Sequence, residues 1–219
     1  FEIARVFSKA SDGRFVQNER VGGLLYGSAL PEQWGEKSRS VDFYDAKADV
    51  EALLAGKTVQ FVKAAHPALH PGRTAEIVLD GQTIGFIGEL HPQWLQKYDL
   101  LQAALVFEVD MAAVAAKEKA AYRPVSKFQP VRRDLAFVMP EEMSHESLLS
   151  ALRSESSRLV QEINVFDVYR GAGLPEGMKS LAVKIMLQDT EATLTDETVE
   201  PLIVRLIQAA ADAGAQLRG

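Results

Sequence analysis

The chain has 219 residues, 47% of them hydrophobic, and a formal net charge of −6. That is enough apolar chain for one large core or two modest ones, and the acidic balance excludes a protein that wraps nucleic acid through bulk electrostatics. Cysteine is absent, which excludes disulfides, thiolate metal sites and a cysteine nucleophile, and no run approaches the ~18 apolar residues of a membrane span. A cytoplasmic protein with no membrane partner is therefore expected.

In chain order, "FEIARVF" and "RVGGLLYGSA" read as strands, and a start at Phe1 inside a strand reads as a piece of a longer protein. "DFYDAKADVEALLAG" predicts a helix capped by Asp42 and stopped at Gly56. After the strand "VQFVKA" comes "AEIVLDGQTIGFIGEL", where Asp80-Gly81 between two apolar runs demands a type I′-like hairpin turn. "HPQWLQKY" predicts a short helix, and "ALVFEVDMAAVAAKEKAA" a strand entering another. The polar, proline-punctuated stretch 117–134 reads as a linker. It places one domain at residues 1–125 and a second at 126–219.

The second domain opens on strand "DLAFVM" and a helix capped by Ser144, with Ser147 where a capping box would carry glutamate. Strands "INVFDVYR" and "KSLAVKIMLQ" flank a Gly/Pro loop, and a helix capped at Thr195 or Asp196 runs to Gly214 before the short strand "AQLRG". The order β-α-β-β-α-β is the ferredoxin-like split βαβ, whose helices cover one sheet face and leave the other open. The fold class is thus α+β.

Side chains alternate across a strand, so each strand divides into two faces. Leu135 and Phe137, Phe166 and Val168, and the row Leu181, Val183, Ile185 and Leu187 are expected against the helices. The open face then carries Ala136, Asp167, Tyr169, Ser180, Ala182 and Lys184. Such a platform can stack an unpaired base on the tyrosine and accept from an amino edge with the carboxylate. An ordinary solvated face or a docking patch presents the same residues.

"HPALHPGR" sets His66 and His70 four apart, the spacing of two zinc ligands on a helix. Each precedes a proline, however, which disfavours helix and turns the segment into rigid turns, and no third ligand stands out. No metal site is expected. "IGFIGEL" is a strand with glycines rather than a phosphate loop, and no nucleophile constellation can be argued from spacing. No catalytic residue is expected either.

The segments "QPVRRDLAFVM", "VFDVYRGAGLPEGMKSLAVKIMLQ" and "TLTDETVEPLIVRLIQAAADAGAQLRG" resemble the anticodon-binding domain of the bacterial phenylalanyl-tRNA synthetase beta subunit. "FEIARVF", "VDFYDAKADVEALL", "HPGRTAEIVLDGQTIGFIGELHP" and "LVFEVDM" resemble its catalytic-like domain, a class II synthetase-like antiparallel sheet. The likeness is collinear over essentially the whole chain. It implies a heterotetramer in which the alpha subunit, with ATP and Mg, charges tRNA-Phe, while this portion needs no cofactor and is non-catalytic. In keeping with that, no glutamate stands two after Arg5, and Leu90 stands where a class II core needs arginine. The family's editing site, Mg-binding module and N-terminal tRNA-binding domain would lie before Phe1. The resemblance carries the family's anticodon contacts onto Ala136, Asp167, Tyr169 and Ser180, with Tyr169 stacking on the first anticodon base. The competing readings are a small-ligand-sensing module of the same topology, against which "VMPEEMSHESLL" lacks a glycine after the first strand, and a protein-docking module.

Overall fold

A computed structural model describes residues 1–116, 122, 124–155 and 157–218. The chain divides into two compact units, Phe1–Ala120 and Ala121–Gly219, each with its own hydrophobic core. Both combine an antiparallel sheet with helices, so the chain is α+β.

The first unit contains β1 (Glu2–Lys9), β2 (Phe15–Leu25), α1 (Phe43–Leu53), β3 (Val59–Lys63), β4 (Leu69–Leu79), β5 (Gln82–Leu90), α2 (Pro92–Lys97), β6 (Leu105–Asp110) and α3 (Met111–Ala115). Its six strands pair in the order β1-β2-β6-β5-β4-β3, every neighbour antiparallel. The Asp80-Gly81 turn has φ of 49° and 77°, the two positive values that a type I′ hairpin requires. Gly85 answers to close packing rather than to a ligand: a Cβ there would stand 2.0 Å from the Glu108 carbonyl oxygen of the next strand. The expected continuation of α3 through 117–121 lies outside the described residues.

Helix α1 begins as its sequence implies. Asp42 accepts hydrogen bonds from the Tyr44 and Asp45 amides (2.8 and 3.2 Å), and Asp45 accepts from the Asp42 amide (2.8 Å), closing a capping box. Ala46, Val50 and Leu54 then bury against Ile77, Ile87 and Val109 of the sheet. Two hydrogen bonds from Arg39 hold the Asp45 carboxyl at about 2, helped by the Asp42 amide. A depressed acid stabilises the fold above its ordinary value near 3.8 and loses that contribution as pH falls toward 2. Asp45→Asn is therefore expected to cost about 0.5–1 kcal/mol at neutral pH, once solvent screening is allowed for. It also flattens the fall in thermal stability between pH 5 and pH 2.5, which melting curves at the two pH values measure.

The second unit contains β7 (Val131–Pro140), α4 (His145–Ser154), β8 (Val160–Tyr169), β9 (Met178–Leu187), α5 (Asp196–Asp212) and β10 (Gln216–Leu217), with sheet order β10-β7-β9-β8. Ser144 caps α4, accepting from the Ser147 amide at 3.1 Å, and the two hydroxyls meet at 2.8 Å. Thr195 caps α5 without accepting a helix amide, its hydroxyl meeting that of Thr198 at 3.3 Å, while Arg133 pairs with Asp196 in the first turn at 2.7 Å. The core row Leu181, Val183, Ile185 and Leu187 is buried together with Phe137 and Met139 of β7, and α4 and α5 contribute Leu148, Leu152, Leu202 and Leu206. Among the described residues, both long helices of the unit pack on the core side of the sheet.

Candidate nucleic-acid interface

Strand register assembles the face in rows. Ala136 of β7 opposes Ala182 of β9, which opposes Asp167 of β8; in the next row Val138 opposes Ser180, which opposes Tyr169. Directly paired residues share a sheet face with Cβ atoms ~5 Å apart. Ala136, Asp167, Tyr169 and Ser180 therefore occupy two adjacent rows. The alternation argument reached this grouping, although one of its steps fails.

That step concerns Phe166, expected against the helices. The β8–β9 register shifts between Val165 and Asp167, so Phe166 and Asp167 together oppose Ala182 in a β-bulge. The extra residue breaks strict alternation. Phe166 is 53% exposed, and the Arg132 guanidinium carbon lies 5.6 Å from its ring centroid. Ile163 and Val165 before the bulge, and Val168 after it, pair with core residues of β9, but Val168 is 45% exposed at the strand's far end.

Tyr169 is tethered. Its hydroxyl donates to the Ala172 carbonyl oxygen at 2.9 Å, and the ring passes close over Gly171, where a Cβ would stand 3.1 Å from that hydroxyl. The Arg218 guanidinium carbon lies 5.2 Å from the Tyr169 centroid, and the Arg218 amide donates to the Ala136 carbonyl oxygen at 2.7 Å. The sequence reading missed Arg218. Alternation of the terminal strand sets Arg218 on the same side as Gln216, but its place beside Ala136 follows from the register of β10 on β7.

Ser180 is on the expected side, but it is only 3% exposed. It lies as a small, nearly buried residue directly opposite Tyr169. Lys184 is likewise not a free cation, because it binds Glu162 at 2.9 Å. Arg132 donates two hydrogen bonds to Asp134 (2.8 and 2.9 Å), holding that carboxyl below the usual range. At the end of the sheet Arg170 does the same to Glu141, with contacts down to 2.7 Å. Among the described residues, Asp167 has no side-chain hydrogen bond or ion pair, and Arg218 has no carboxylate partner. The charges left uncompensated on the face are thus one acid and one cation, on either side of the tyrosine.

In the first unit, His66 and His70 both turn their Nδ1 atoms to the local backbone. Each Nδ1 accepts from the amide two residues on, Ala68 at 3.3 Å and Gly72 at 3.0 Å, and His66 stacks on Phe86 at 4.4 Å.

Residues 126–218, which include this face, match the ferredoxin-fold anticodon binding domain, and residues 1–111 match the phenylalanyl tRNA synthetase beta chain CLM domain. The chain belongs to the phenylalanyl-tRNA synthetase beta chain family. It is similar to the phenylalanine–tRNA ligase beta subunits of Neisseria gonorrhoeae (72% identical over 218 residues), Chromobacterium violaceum (53% over 218) and Dechloromonas aromatica (51% over 223). In each case all of this chain is matched, and it spans 28% of the relative's length. Within the family match, the bulge and the terminal arginine are features that strand pairing shows and a motif does not. No helix among the described residues is long and apolar enough to cross a membrane.

Proposed function

We propose that residues 126–219 read the anticodon of tRNA-Phe on the open sheet face, as part of a cytoplasmic phenylalanine–tRNA ligase. Residues 1–125 serve as a non-catalytic scaffold in assembly with the alpha subunit, which uses ATP and Mg to charge the tRNA. The observation that carries this reading is the unpaired Asp167 carboxylate one row from the tethered Tyr169 ring, on a face otherwise floored by Ala136, Ala182 and buried Ser180. The match of this unit to an anticodon-binding family and the printed names of the relatives support it.

The chemistry follows from those groups. An unpaired base stacks on the tyrosine, small neighbours let it approach the sheet, and the carboxylate accepts from an exocyclic amino group. Residues 126–219 hold ten Lys and Arg against fourteen Asp and Glu, a net of −4. Phosphate neutralisation therefore contributes little here, and the remaining subunits supply it.

The test is binding of the assembled ligase to tRNA-Phe anticodon hairpins with native and scrambled loops. Equal affinity for the two sinks the reading. Asp167→Ala is expected to lower discrimination against loops lacking the amino-bearing base by about tenfold or more, the range of a lost base-edge contact. Affinity for those already mismatched loops barely changes, and competition titrations measure both.

A further inference from the structure

The open face carries a second aromatic ring for which base reading at Tyr169 has no use. Phe166 is there because of the bulge, and a bulge characteristically re-aims a side chain at a site while giving up regular pairing. The result, 53% of a phenylalanine in water, is a cost to be explained. Its surroundings argue against an apolar docking patch. By register its nearest rows on this face hold Asn164, Asp167, Ala182 and Lys184, polar or small residues that offer little apolar surface beside the ring.

They favour a stacking position instead. Arg132, fixed by its two hydrogen bonds to Asp134, holds its guanidinium carbon 5.6 Å from the Phe166 centroid. Three residues on, Arg218 stands in the same relation to Tyr169 at 5.2 Å. The face thus repeats one unit, an exposed ring with a guanidinium beside it, with Asp167 between the repeats. Across the bulge Phe166 sits opposite Ala182 and Tyr169 opposite Ser180, so the rings are two ladder positions, roughly 7 Å, apart and form neighbouring positions instead of one. Aromatic rings with flanking arginines are how single strands are held base by base.

We propose that Phe166 is a second stacking position, taking the unpaired base adjacent to the one on Tyr169, with Arg132 as its flanking cation. The inference rests on the anticodon reading above and extends it from one base to two.

The assembled ligase carrying Phe166→Ala, Phe166→Leu or Tyr169→Ala is titrated with tRNA-Phe anticodon hairpins, intact or made abasic at one loop position at a time. Both Phe166 variants are expected to weaken the intact hairpin about 5- to 100-fold, the range of one lost stacked base. One abasic position should then cost them nothing further, and it should differ from the position that couples to Tyr169. Phe166→Leu keeps apolar bulk at a half-exposed site, so its loss of affinity reports stacking rather than misfolding. Full affinity in the Leu variant, or a penalty that persists with every abasic hairpin, overturns the second position. If Tyr169→Ala couples to a base while the Phe166 variants do not, the second position alone fails. If native enzyme does not distinguish intact from scrambled loops, base reading fails and the inference with it.

Discussion

Tyr169→Ala is expected to weaken binding of the anticodon hairpin by about 5- to 100-fold, equivalent to about 1–3 kcal/mol of base stacking, while the second unit stays folded. The ring is 37% exposed, and the core row of β9 lies on the other side of the sheet, so its removal opens no cavity in that core. Two controls separate stacking from other causes. Tyr169→Phe keeps the ring and loses only the hydrogen bond to the Ala172 carbonyl oxygen, so it should retain most of the affinity. The slope of log K against log salt should be the same for native protein and Tyr169→Ala, because an uncharged ring neutralises no phosphate. Fluorescence anisotropy at several salt concentrations measures both. A parallel loss in Tyr169→Phe would assign the effect to the hydroxyl, and a reduced salt slope would assign it to a displaced Arg218.

The elements of this fold were legible where a local physical rule governs them. Asp42 announces α1 because its carboxylate can meet the orphan amides of the first turn, and it does. Asp80-Gly81 announces its hairpin because few other residue pairs tolerate two positive φ values, and both occur. The β9 core row was legible because its period of two is unbroken from Leu181 to Leu187. Alternation failed at β8, where one inserted residue carries Phe166 to the open side, and nothing in "NVFDVYR" distinguishes a bulged strand from a regular one. Electrostatics was less legible still. Lys184 as a free cation and Ser180 as a presented hydroxyl were natural readings of composition. The Glu162 partner and the burial beside Tyr169 follow from cross-strand register, which a single strand does not contain. All four proposed contact positions thus fall in two adjacent rows of the sheet, with Ser180 almost fully buried among them.

The largest effect on stability is expected from Phe137→Ala. Phe137 is fully buried in β7, beside Ala136 in sequence but on the opposite face, and it shares a core with Leu148 and Leu181. Deleting a buried phenylalanine removes its transfer energy and leaves a cavity that rigid neighbours fill only in part, costing about 3–5 kcal/mol. That is a large share of the 5–15 kcal/mol that holds a typical domain together. The first unit has a separate core, and both tryptophans, Trp34 and Trp94, belong to that unit, outside the core cluster. Urea unfolding followed by tryptophan fluorescence should therefore be unchanged, while the circular-dichroism transition gains an early component from the second unit. A shift of both signals together would show that the two units unfold as one cooperative body. Binding by the proposed anticodon face is expected to be lost in either case once the second unit melts, because the sheet that carries its rows shares its core with the helices of that unit.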